Sequence, residues 1–393
     1  MLKKTPDTFL LFAFILLLPA FVSAQPTWTI DPFGKEKKPE KYENRKLGSE
    51  KTADKKFTVV RNFYQNTITH YNYYFNANNR VNMVLERARM AQKDDYSILL
   101  PFYPYTLSAT AAQKSELDSV IYTSTAGILL HDLRNDWIDN MYMLIGKAYF
   151  LRNDMDSALM TFQFINYNLF PRKRRNDDDD RVVGTNASGT NYRISIANKE
   201  KRNILQKVAS LPPSRNDALL WMTRTLIERD ELAEAAGMIN TLQNDPNLPK
   251  RLQNDLHEIT AYWFYKQGIY DSSAVHLEKA LTAAENKQDK ARWEFLLAQM
   301  YEMGGNYDKA SDYYSKASKH TVDPLLDIYA QLNEAKMMKG AVNPKELDKS
   351  IANLLKMGKR DKFEAYGDIV YYSAGQLALQ KPDTSAANNY FNK

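Results

Sequence analysis

Tyr301 to Ala317 (YEMGGNYDKASDYYSKA) constrains the fold more than any other stretch of the chain. Gly304-Gly305-Asn306 ends one helix, since glycine tolerates the left-handed backbone at which helices stop. Tyr307, Ala310, Tyr314 and Ala317 then recur at spacings of three and four, which places them on one face of a second helix. The small Ala310 lets the two helices approach closely, and the tyrosines fill the space beside it.

The pattern recurs in phase. Small residues at comparable places are Ala158, Ala235, Ser273, Ala310 and Ala386, with gaps of 77, 38, 37 and 76 residues. The two long gaps are each about two periods, so each has room for a degenerate unit. A helix-turn-helix unit of about 34 residues is the period of the tetratricopeptide repeat. The fold expected is therefore all-α, a tetratricopeptide-repeat-like helical solenoid in which helix pairs stack into a right-handed superhelix with a concave groove. Phe63, Tyr64, Ile68, Tyr71, Tyr74 and Phe75 read as one face of the first helix. Asn76 to Asn79 reads as a break, and Val81 to Ala91 as the next helix. Pro101 and Pro104 place Phe102-Tyr103-Pro104-Tyr105 in an aromatic loop, before a helix over Lys114 to Leu133.

Residues 1–24 read as a secretory signal peptide. Lys3 and Lys4 precede an apolar run from Phe9 to Phe21, too short to span a bilayer, and Val22-Ser23-Ala24 offers a cleavage site. Residues 25–56 read as a flexible charged linker, with nine basic and five acidic residues between Lys35 and Lys56. Helical repeats are expected over 57–170 and 197–393, the last repeat cut short, around a charged loop insertion at 171–196. That insertion carries Arg172 to Arg175 and Asp177 to Asp180. It lacks the spaced ligands and turn glycine of a calcium loop, so it reads as solvated charge.

The chain has no cysteine, which excludes disulfides, thiolate metal sites and the acylated cysteine of a lipoprotein. The five histidines form no zinc motif, and there is no phosphate-binding loop, dinucleotide fingerprint or nucleophile elbow. No enzyme activity, metal or cofactor is expected. Asp94-Asp95 reads as surface charge, His257 as structural, and Trp221, Trp263 and Trp293 as packing residues.

Three stretches resemble the PorW/SprE family: His70 to Ala77 (HYNYYFNA), Ile98-Leu99-Leu100-Pro101, and Asp139 to Phe164. The resemblance implies a tetratricopeptide-repeat component of the type IX secretion and gliding machinery. On that basis the chain would be a periplasmic, non-enzymatic scaffold whose partners are translocon or ring subunits. It would bind neither nucleic acid nor a small-molecule substrate, and would reach the membrane only through partners. The alternative is a stand-alone periplasmic peptide-binding adaptor or chaperone. In either case the first helix of each pair lines the groove. The phase nominates Met143, Lys147, Phe150, Arg224, Tyr262, Tyr265, Arg292, Phe295 and Gln299 as the protein-binding face, with Met143, Phe150 and Phe295 equally readable as packing residues.

Overall fold

A computed structural model describes residues 47–53, 55–169, 196–200, 210–284, 286–337, 344–381 and 383–393. The signal peptide, most of the charged linker and nearly all of the 171–196 insertion lie outside the described residues. A short helix α1 (Gly48–Ala53) leads to α2 (Val59–Ile68). A π-helical turn (Thr69–Tyr74) joins α2 without interruption to α3 (Phe75–Ala91). Helices α4 (Leu107–Ala111) and α5 (Lys114–Leu130) follow. The pairs then begin: α6 (Ile138–Leu151) with α7 (Met155–Phe164), and α8 (Arg215–Glu228) with α9 (Leu232–Gln243). Next come α10 (Gln253–Lys266) with α11 (Tyr270–Ala280), and α12 (Lys287–Met303) with α13 (Tyr307–His320). The last are α14 (Pro324–Met337) with α15 (Pro344–Met357), and α16 (Gly367–Gln380) with α17 (Thr384–Phe391). No strand occurs among the described residues. The chain is an all-α helical-repeat solenoid.

The first four pairs turn in the same way. Asn153, Asp230, Gly268 and Gly305 all adopt left-handed backbone, with φ of 63°, 59°, 71° and 76°. The residue after each one donates its N–H back to a carbonyl five positions earlier: Asp154 to Tyr149, Glu231 to Leu226, Ile269 to Phe264 and Asn306 to Tyr301. This closure satisfies carbonyls that the ending helix would otherwise orphan. In α7 and α13 the side chain of Asp154 or Asn306 then caps the new helix, accepting from the N–H of Ser157 or Lys309.

Packing follows from the same register. Ala158, Ala235, Ser273 and Ala310 each hold the fourth position of their helix and are fully buried. In α17 that place belongs to Ala387, which is buried, and not to Ala386, which is half-buried. The gap before it does hold a degenerate unit, α14–α15, in which Leu347 occupies the buried fourth position. The first long gap differs: its described residues between α7 and α8 hold no helix pair, and α7 packs directly on α8. Tyr307 also departs from the expected face, being exposed where Tyr314 and Ala317 are buried.

Two readings of the N-terminal region are corrected. Asn76 to Asn79 does not break a helix. Asn76 satisfies its own amide on the Asn72 carbonyl, while Ala77 and Val81 are buried, so α3 runs through. The six residues do not share one environment: Phe63, Tyr64, Tyr71 and Phe75 are exposed, whereas Ile68 and Tyr74 are half-buried, Tyr74 against Trp137.

The turn residues define a stability test. Exposed Asp230 carries left-handed backbone without glycine's freedom. Asp230→Gly is expected to gain, and Gly305→Ala to lose, about 1 kcal/mol in urea unfolding.

Candidate functional site

The concave side is built from the first helices of successive pairs: α6, α8, α10, α12 and α14. The chain's own residues 94–105 lie along it. This segment leaves α3 at Gln92 and returns at α4, turning at residues 96–97 and bending at 102–105, with Pro101 and Pro104 keeping it out of a helix. Its anchors are Tyr96, Leu100 and Phe102, all buried, in contact with helices some 200 residues further on.

Backbone groups of the segment are met one by one. The Gln299 side-chain amide donates to the Ile98 carbonyl at 2.6 Å and accepts from the Leu100 N–H at 3.0 Å, as a neighbouring strand would. The Tyr265 hydroxyl donates to the Leu100 carbonyl at 2.8 Å. Arg292 donates to the carbonyls of Pro101 at 2.7 Å and Phe102 at 3.1 Å. The same guanidinium makes a two-pronged pair with Asp94, at 2.6 and 3.1 Å. Both side chains of that pair are largely buried, at 6% and 11% exposure, so Asp94 is a core ion-pair partner and not surface charge.

Side chains of the segment are held as firmly. Tyr96 donates to Asp323 at 2.7 Å and stands edge-on to Phe295. Burial and this carboxylate push the Tyr96 phenol well above its ordinary range. Phe102 sits among Tyr262, Tyr265 and Trp293. The Arg224 guanidinium stacks 3.8 Å from the Tyr103 ring centre and donates to the Tyr105 hydroxyl at 2.8 Å. The Tyr103 hydroxyl and Arg224 Nε are buried without a hydrogen-bond partner. Burial raises the Tyr103 phenol as well.

Arg224, Tyr262, Tyr265, Arg292, Phe295 and Gln299, six of the nine nominated residues, therefore line one surface and grip the chain's own segment. Met143 and Phe150 are buried packing residues of α6, Phe150 edge-on to Trp221. Lys147 stands half-buried with its ammonium 5.0 Å from the Trp221 ring, and burial lowers its pKa against the pull of Asp217 and Asp255. What the sequence reading missed is the occupant. Its available signal was a run of apolar and aromatic residues, Leu99-Leu100-Pro101-Phe102-Tyr103, too rich for a solvated loop.

Outside this face, the one close pairing of imidazoles among the described residues is His257 with His276, Nδ1 to Nδ1 at 3.2 Å. His257, read as structural by itself, is thus half of a pair across α10 and α11, with Phe264 against one ring and Lys279 nearby. Among the described residues no three metal-ligating side chains converge.

No family profile matches the chain, and no curated protein matches it. A solved structure similar to part of it is BtubC (BKLC) from P. vanneervenii. It is 14% identical, with 46% of this chain and 78% of that one covered, at a TM-score of 0.31.

Two measurements check this account. Arg292→Ala strands a buried carboxylate and two carbonyls, and is expected to cost about 3–5 kcal/mol in urea unfolding. It should also open residues 94–105 to limited proteolysis. The histidine pair sets a pH dependence. Desolvation, the partner ring and Lys279 lower His276 to about 4, and His257 is also lowered from 6.5. The unfolded chain then binds the protons first, so stability is lost as pH falls from about 6.5 towards 4. His276→Gln should flatten the fall in the urea midpoint between neutral and acid pH.

Proposed function

We propose that this chain is a non-enzymatic, exported scaffold of an envelope assembly, and specifically of the type IX secretion and gliding machinery. The observation that carries the binding class is the way Gln299, Tyr265 and Arg292 read the backbone carbonyls of Ile98, Leu100, Pro101 and Phe102. That is recognition chemistry for a polypeptide, and it uses no reactive group. The secretion assignment rests on the resemblance of His70 to Ala77, Ile98 to Pro101 and Asp139 to Phe164 to the PorW/SprE family, and on the signal-like residues 1–24.

The filled concave face favours a scaffold over a chaperone. A chaperone exchanging many extended clients needs an open channel, whereas here the channel is lined with buried hydrogen bonds to the chain itself. The partners of such a scaffold are translocon or ring subunits, held on its outer surfaces and rims.

The test is recovery of the mature chain from cross-linked cells, with partners identified by mass spectrometry. Near-stoichiometric secretion-machine subunits are the expected result. A diffuse set of unrelated exported proteins would overturn the scaffold reading in favour of the chaperone.

A further inference from the structure

Helix α2 is mounted inside-out. Its polar side faces the protein. Arg61 pairs with Asp132 at 3.4 Å, and the Gln65 side chain accepts from the Asp132 N–H at 3.0 Å. Asn66 exchanges two hydrogen bonds of 2.9 Å with Asp136. No residue of α2 is buried. Its apolar side faces out, with Val59 86%, Val60 79%, Phe63 74% and Tyr64 58% exposed. Tyr71 and Phe75 extend the row through the π-helical turn. Six large apolar side chains thus stand along roughly 25 Å of helix.

The charge around this row is one-sided. From Lys55 to Leu85 the sequence contains no aspartate or glutamate, although those residues number 47 in the chain. Lys55 and Lys56 are exposed at the start of the row. Among the described residues, the acidic groups that bond to α2 lie on its docked side. Asp132 is buried and paired with both Arg61 and Arg134, and Asp136 is bonded to Asn66.

We propose that the outer face of α2 and its continuation to Phe75 docks on an anionic lipid bilayer, lying in the plane of the interface. An interfacial helix needs an apolar side of aromatic and aliphatic residues, basic groups at its margin and no carboxylate on the side that enters the membrane. Phenylalanine and tyrosine suit the headgroup boundary, where a ring is buried and a hydroxyl stays wet. Lysine beside them is drawn to anionic headgroups. The docking goes beyond the scaffold reading and does not depend on it.

The experiment floats the mature chain, residues 25–393, with phosphatidylcholine vesicles made with and without phosphatidylglycerol. Binding is expected only with the anionic lipid, and is expected to fall at least about tenfold in the triple variant Phe63→Ser, Tyr64→Ser, Tyr71→Ser. Those side chains are exposed, so circular dichroism should show unchanged helicity. Lys55→Gln with Lys56→Gln should weaken binding to the anionic vesicles and leave the remainder less sensitive to salt. No flotation, or flotation unaffected by the serine substitutions, would overturn the proposal. So would a concentration-dependent dimer in ultracentrifugation that the serine substitutions abolish, since the row would then be a contact between two copies of the chain.

Discussion

The buried guanidinium of Arg292 ties together parts of the molecule that repeat stacking alone would leave independent. It sits on α12, pairs with Asp94 at the end of α3, and closes the carbonyls of Pro101 and Phe102. A charge removed from water is costly unless acceptors surround it, and here residues 94–102 supply them. Gln299, about two turns further along α12, and Tyr265 on the neighbouring α10 complete the set. The apolar anchors Leu100 and Phe102 then occupy the space that an empty solenoid would expose on its concave side.

The repeats themselves depend on a humbler constraint. Five of the six described helix pairs carry a small residue in the fourth position of the second helix, and aromatics fill the space beside it; the pair α14–α15 has Leu347 there instead. Asn153 and Asp230 take the same left-handed turn as Gly268 and Gly305, although they lack glycine's freedom. Geometry imposed by stacking therefore outranks local preference at those two positions.

Much of this architecture was legible in the sequence, because helix pairing writes a local period. Ala158, Ala235, Ser273 and Ala310 could be placed from spacing alone, and the pair containing Leu347 could be inferred from a gap. Ala387 was misplaced by one residue because its neighbour Ala386 is equally small. The occupied concave face was not legible. An irregular segment has no helical period, and its partners Arg292 and Gln299 lie about 200 residues away. The direction of the row on α2 was not legible for a different reason: periodicity shows that a helix has an apolar side, but not which way that side points.

Solenoids ordinarily assemble by neighbour-to-neighbour propagation, and lose terminal repeats piecemeal. Residues 94–105 change that rule. They are synthesised early, yet their hydrogen-bond partners on α10 and α12 appear only after another 160 to 200 residues. Until then Leu100, Phe102 and the carbonyls around them have no complement, and closing so long a loop precedes any reward from it. The first half of the chain thus waits for the second, and a molecule built of repeats is bound to ripen as one cooperative body.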